Sequence, residues 1–287
     1  MGVRDKSLKV IRWGLAGTLI VFSGSLALTA TDRFVAGIYV RFRSELEREI
    51  SKPLGHPLLI GPYKGLRPWG IAIGETQIGA GLKDASTAKF SGITIKYAPI
   101  ASLINWRPVA VISPKGTHFN LRANQEGSYW VFGLTDQEPP NLALWFRVKD
   151  PARVSIASSQ LALTATTNTF LKLSEKQAKG SIQLTLPDSG TVLFKGSGFW
   201  DRLDLKARAR IKNVRVKPLK KLFLNQHNLD TEGKLEGDIQ LSVREGAVDC
   251  QGGITLNNFI LSSPPFENSL SSQKASITCN KQLVLFP

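Results

Sequence analysis

The sequence predicts an all-β fold, an elongated antiparallel sheet preceded by a transmembrane helix and an amphipathic helix. Three observations predict it. From Leu58 onward, apolar and polar residues alternate with period two in one segment after another. Gly, Pro and Asn punctuate those segments as turns. Before them, Trp13 to Thr31 (WGLAGTLIVFSGSLALTAT) carries no charge. At about 1.5 Å per residue that run makes about 28 Å of helix, close to the thickness of a bilayer core.

Taken in order, residues 1–12 form a basic cap in which Arg4, Lys6, Lys9 and Arg12 face only Asp5. The positive-inside rule places this cap in the cytoplasm, or in the stroma if the host is a plastid, and everything after Asp32 across the membrane. Residues 13–31 are the anchor, with Trp13, Leu15, Leu19, Ile20, Val21, Phe22, Leu26 and Leu28 as its lipid-facing side chains. A cleaved signal peptide is the rival, with Ser25-Leu26-Ala27 as its small-x-small site. The apolar run continues past that site, which favours an uncleaved anchor. Lys6 stands where a myristoylation signal requires Ser or Thr.

Residues 32–54 form the amphipathic helix. Val35, Ile38, Phe42, Leu46 and Ile50 make one apolar stripe, and Arg41–Glu45 and Arg43–Glu47 can pair across one turn. Pro53 and Gly55 end it. Capping the end of a sheet is the simpler role, and lying on a membrane interface the other.

Residues 55–287 form the β-domain. Leu58–Ile60, Ile71–Ile73, Ile93–Ile95, Val109–Val111 and Phe119–Leu121 are short strands, followed by longer ones to the terminal KQLVLF. One apolar face per strand indicates antiparallel pairing. The only later helical candidate is Pro218 to Asn225. In DRLDLKARARIKNVRV, Lys206, Arg208, Arg210 and Lys212 share one face and Leu205, Ala207, Ala209 and Ile211 the other; after Asn213 the phase slips, which predicts a bulge.

The chain has 287 residues and a net charge of +15. That excess favours polyanions, and the predicted topology favours lipid headgroups over nucleic acid. The basic strand face lacks the interleaved aromatics that stack bases, so it reads as a solvated surface. His56, His118 and His227 are scattered and fit no zinc pattern. No nucleophile elbow, P-loop or metalloprotease motif occurs, so neither catalysis nor a cofactor is expected. Cys250 and Cys279 pair in an oxidising compartment if their strands are neighbours; otherwise they are two separate strand thiols.

Function must then come from shape. The alternate apolar residues Ile182, Leu184, Leu186, Leu203, Leu205, Ile211, Leu235, Ile239, Leu241, Ile254 and Leu256 form one face. A second sheet can cover that face, giving a sandwich that docks a partner by its edge or its basic side. Alternatively, a curled sheet makes a groove for acyl chains. Both bury the same positions.

The order basic cap, apolar helix, LEREISKPLGHPLLIGPYKGL, GIAIGETQI and DASTAKFSGITIKYAPIASLINWRPVAVISPKGTHFNLRANQEGSYW resembles the N-terminus of TamB-type proteins of the AsmA-like group, in their cyanobacterial or plastid branch. LDLKARARIKNVRVKPLKKLF, GKLEGDIQLSV and GGITLNNFIL resemble the repeating unit of their β-domain. The resemblance implies a curved, groove-like sheet, the "β-taco", on an inner-membrane anchor with its bulk in the periplasm. It implies phospholipid transport between membranes or outer-membrane protein assembly, with lipids as partners. An Omp85-type barrel would be met through a C-terminal region that this chain lacks. Those proteins are several times longer, so the resemblance implies a fragment, a split product or a short paralogue.

Overall fold

The computed structural model describes residues 3–125, 127–131, 141–157, 161–188, 190–199, 201, 204–217, 230–244, 247–262, 270–281 and 283–285; at 3–28, 230–231, 261–262, 270, 281 and 283–285 it describes the backbone alone. Among the described residues the fold is mostly β, with one large open sheet and two helices. Helix α1 (Val3–Leu54) is continuous and stops at Gly55, whose φ is +71°. The anchor residues Trp13 to Leu28 and the basic cap lie outside the described side chains. Among the described residues, no helix is long and apolar enough to cross a membrane.

The first four strands are bent. They are β1 (Leu58–Leu59) with β2 (Tyr63–Arg67), β3 (Gly70–Ile73) with β4 (Thr76–Ile78), β5 (Thr87–Phe90) with β6 (Gly92–Tyr97), and β7 (Val109–Lys115) with β8 (His118–Leu121). The second and third bent strands hold one register along their length, Gly70 facing Lys96 and, beyond the kink, Ile78 facing Ala88, whereas β2 slips against β3 between Tyr63 and Leu66. Strand β9 (Ala143–Ile156) then runs parallel to the fourth bent strand, Val109 facing Ala143 and Phe119 facing Val154. This parallel step departs from the all-antiparallel expectation. Alternation fixes which residues share a face and leaves strand direction open; β9 starts opposite Val109, at the end where β7 begins.

An antiparallel meander follows: β10 (Leu161–Lys172), β11 (Gln177–Thr185), β12 (Thr191–Phe199), β13 (Asp204–Arg215), β14 (Asp230–Arg244), β15 (Ala247–Ser262), β16 (Leu270–Lys281) and β17 (Leu283–Leu285). Neighbours in space are therefore neighbours in sequence throughout. The predicted bulge is present: the β13–β14 register slips between Ile211 and Val214, and Asn213 takes φ +50°. Pro151 is accommodated inside β9 because the register also slips there, Ala165 facing Ala152 while Thr167 faces Val148.

The sheet is open and uncurled, which corrects the curved groove. Curling needs bulges or glycine kinks that bend strand after strand the same way. Among the described residues of the meander from β9 to β16, register slips occur only at Ala165/Thr167, Ile211/Val214 and Glu232/Lys234. No second sheet covers the apolar face among the described residues, so the sandwich does not form there either.

α1 caps the sheet, though not with the predicted stripe. Ile38, Phe42, Leu46 and Ile50 stay exposed, between 40% and 48%. The helix instead turns Asp32, Tyr39, Glu47 and Ser51 to the open edge of β1–β2. Ser51 Oγ accepts from Leu58 N at 2.8 Å, Glu47 Oε1 from Ile60 N at 2.7 Å, and Asp32 Oδ1 from Leu66 N at 2.9 Å. The Tyr39 hydroxyl donates to Gly61 O, also from the edge. Unpaired edge amides are the cause: each needs an acceptor once the helix excludes water, and a lone edge invites aggregation. Tyr39 also packs with Leu58, Ile60 and Ile73 in the buried core cluster. Arg43 pairs with Glu47 at 3.0 Å as expected, whereas Glu45 lies 3.9 Å from Arg48.

Helix α2 (Pro99–Asn105) went unpredicted. PIASLIN is too short to show a helical period, and the proposed helix at Pro218–Asn225 lies outside the described residues.

Candidate functional site

Residues opposed across a ladder point to the same face, so the registers place every described candidate. Ile182 faces Phe194, which faces Ala209, then Ile239. The next row runs Leu184, Val192, Ile211, Gly237, Ile254 and Ile277. Beyond the bulge, Val214 faces Leu235, which faces Leu256. Leu241 faces Ala207, and Leu205 faces Val243. Leu186 follows β11 in the same phase and is buried. All the described candidates thus share one face. Leu203 lies outside the described residues.

That face is not sealed. Ile182, Phe194, Leu205 and Leu241 remain between 38% and 44% exposed. Beside them is a depression of about 400 Å³, walled by Ile182, Phe194, Leu205 and Val243 and floored by Gly180, Gly196 and Gly198. The floor cannot be filled from within. A Cβ on Gly180 would lie 2.6 Å from Thr169 Cα, and one on Gly196 would lie 2.9 Å from Lys206 O. A surface of this kind holds apolar chains by contact area alone, at about 25 cal/mol per Å² buried.

Phe194, Val243 and Ile277 belong to the face but were missed. Phe194 sits in the uninterrupted apolar run VLF, where Leu193 obscures the phase. Val192 and Phe194, two apart, carried the available signal.

The opposite face is charged. The basic residues of β13 project there, and Arg208 makes a two-pronged pair with Asp238, both contacts at 2.6 Å. Asp238 also accepts from Arg210 at 3.3 Å. The Arg208 and Arg210 bonds hold the Asp238 carboxyl below the usual carboxylate range. A larger concavity of about 890 Å³ opens here between Lys195, Lys206, Arg208, Gln240 and Asp249. Its charged lining is mostly basic, Lys195, Lys206 and Arg208 standing against Asp249. Near β9, Arg147 lies 3.5 Å above the Trp145 ring, and Trp145 packs edge-on against Phe170.

Cys250 and Cys279 stand on neighbouring strands with Cα atoms 5.6 Å apart and sulfurs at bonding distance. The sequence left that pairing open because it does not say which strands adjoin.

One buried polar cluster lies away from the apolar face, where β1 begins. His56 donates or accepts at both nitrogens: Nδ1 is 2.9 Å from Gly79 O and Nε2 is 3.1 Å from Asp84 Oδ2. Asp84 also accepts from Ser86 N and Val131 N at 2.9 and 2.8 Å. The His56 ring stacks on Trp130 at 4.2 Å. Ser86 Oγ donates to Tyr129 O and Arg122 O rather than to His56, so no activated nucleophile is assembled. The cluster ties the 79–86 and 122–131 loops to the end of α1. Among the described residues, no group of His, Cys, Asp and Glu is arranged to hold a metal.

No family model, curated protein or solved structure matches this chain.

Proposed function

We propose that this chain is a membrane-anchored envelope protein of the TamB or AsmA-like type, whose apolar sheet face carries phospholipid acyl chains between membranes. The observation that carries this reading is the set of described candidates lying together on one incompletely covered face, beside a side-chain-free floor. Binding of this kind needs no catalytic group. The uncharged run Trp13–Thr31 supports the tether. The anchor then sits in the inner membrane, with residues 1–12 cytoplasmic and the sheet in the periplasm. The cysteine pair supports an oxidising compartment. Service to outer-membrane protein assembly through an Omp85-type barrel belongs to the same reading.

Native mass spectrometry of the full chain in mild detergent, with extraction of bound lipid, tests it. Phospholipid at reproducible stoichiometry is expected, and Ile182→Asp with Leu241→Asp removes it while the fold is kept. A folded chain that holds no lipid would sink the carrier reading.

A further inference from the structure

At one end of the sheet an apolar cluster stands in solvent. Trp69, Ile100, Leu103, Ile104 and Trp106 are each between 71% and 91% exposed. They come from two separate turns held together: Tyr97 N donates to Trp69 O at 2.7 Å, and α2 begins two residues later. α2 is fastened by its one buried residue. Ser102 Oγ donates to Ala98 O at 2.8 Å and accepts from Val109 N at 2.9 Å. With that side committed to β7, Ile100 and Leu103 stand in solvent, while Ile104 overhangs a concavity shared with Trp145 and Phe170. Both tryptophans adopt positive φ, +64° at Trp69 and +52° at Trp106. Glycine is the usual residue there, and a bulky side chain in that region is strained. Two rigid indoles are thus held outward at the same end.

The course of α1 identifies what they meet. Leu54 lies beside the start of β1, Tyr39 bonds Gly61, and Asp32 bonds Tyr63 and Leu66. The helix therefore runs along the first bent strand, and the chain N-terminal to Asp32 leaves at the end bearing Trp69. Tryptophan is enriched where membrane meets water, its ring apolar and its N–H wet. Arg33, Arg67 and Lys96, all exposed, flank the cluster with the charge that anionic headgroups attract. Arg107 nearby is tied to Glu175.

We infer that α2 and the Pro68–Trp69 turn form a second membrane contact, seated in the leaflet from which α1 emerges, which sets the sheet end-on to that bilayer. This rests on the anchored reading above. The occupant is a phospholipid surface carrying anionic headgroups.

The test uses the full chain, with Cys250 and Cys279 oxidised, in phosphatidylcholine–phosphatidylglycerol vesicles containing brominated lipid. An environment-sensitive dye is placed at Leu103→Cys or, as control, at Leu82→Cys, which is fully exposed at the opposite end. Flotation with the vesicles reports the anchor, and quenching reports α2. The expected result is flotation of both variants, a blue shift and loss of most emission at 103, and neither change at 82. Flotation with an unquenched dye at 103 overturns the contact and leaves the anchor standing. Failure to float removes the anchored reading, and this inference falls with it. A concentration-dependent blue shift at 103 without bromine quenching assigns the cluster to a second copy of the chain and also overturns it.

Discussion

Asp84→Asn removes one charge from the buried cluster and changes its shape little. Asp84 and His56 have side chains 1% and 0% exposed. Asparagine keeps one oxygen for Ser86 N but sets an N–H₂ where Oδ2 accepted from Val131 N and faced His56 Nε2. One acceptor contact is lost, since the new N–H₂ meets Val131 N donor to donor, while His56 keeps its Nδ1–H on Gly79 O and takes the new N–H₂ on the Nε2 lone pair. With about 1.5–3 kcal/mol for a bond to a charged group, the cost is about 1.5–3 kcal/mol. Urea unfolding followed by the emission of Trp130, which stacks on His56, measures it. Hydrogen exchange should show lost protection in the 79–86 and 122–131 loops, with the meander from β9 onward unchanged. A variant within about 1 kcal/mol of the parent, with unaltered exchange in both loops, would refute the assignment of Asp84 as the tie between them. Acid dependence has a fixed sign. Burial raises the Asp84 carboxyl, but the Ser86 and Val131 amides and His56 together outweigh it and hold it below its ordinary value. This stability is therefore present above the unfolded carboxylate value of about 4 and is lost as pH falls through the lower folded value. The asparagine variant lacks that component of acid unfolding.

Glu47→Ala leaves the amide of buried Ile60 without its acceptor. Destabilisation of about 1–3 kcal/mol is expected by urea titration, with self-association through the uncovered edge seen in light scattering. Cys250→Ser releases a loop whose ends are 29 residues apart. It should cost up to about 3–4 kcal/mol, and a reductant should have no further effect on the variant. Asn213→Val places a β-branched residue at φ +50°, where a cost of about 1–2 kcal/mol is expected and Asn213→Gly should be nearly silent in the same thermal melt.

The sequence by itself determined which residues share a face. Period two is a local property of an extended chain, so Ile182 through Leu256 were assigned to one side before any neighbour was known. The bulge at Asn213 was legible for the same reason, as a slip of phase within a single strand. Helix α1 and its stop at Gly55 were likewise written in spacing and turn chemistry. Only the tertiary structure decided what each face meets. The stripe Ile38–Phe42–Leu46–Ile50 looked like the packing surface, yet the amides of β1 and β2 required acceptors, so Asp32, Glu47 and Ser51 face the sheet instead. The parallel step into β9, the adjacency of Cys250 and Cys279, and the bond from Tyr97 N to Trp69 O all depend on contacts between distant segments. The openness of the sheet is also a tertiary outcome. Alternation states that one side is apolar, and bends summed over many strands decide whether that side closes.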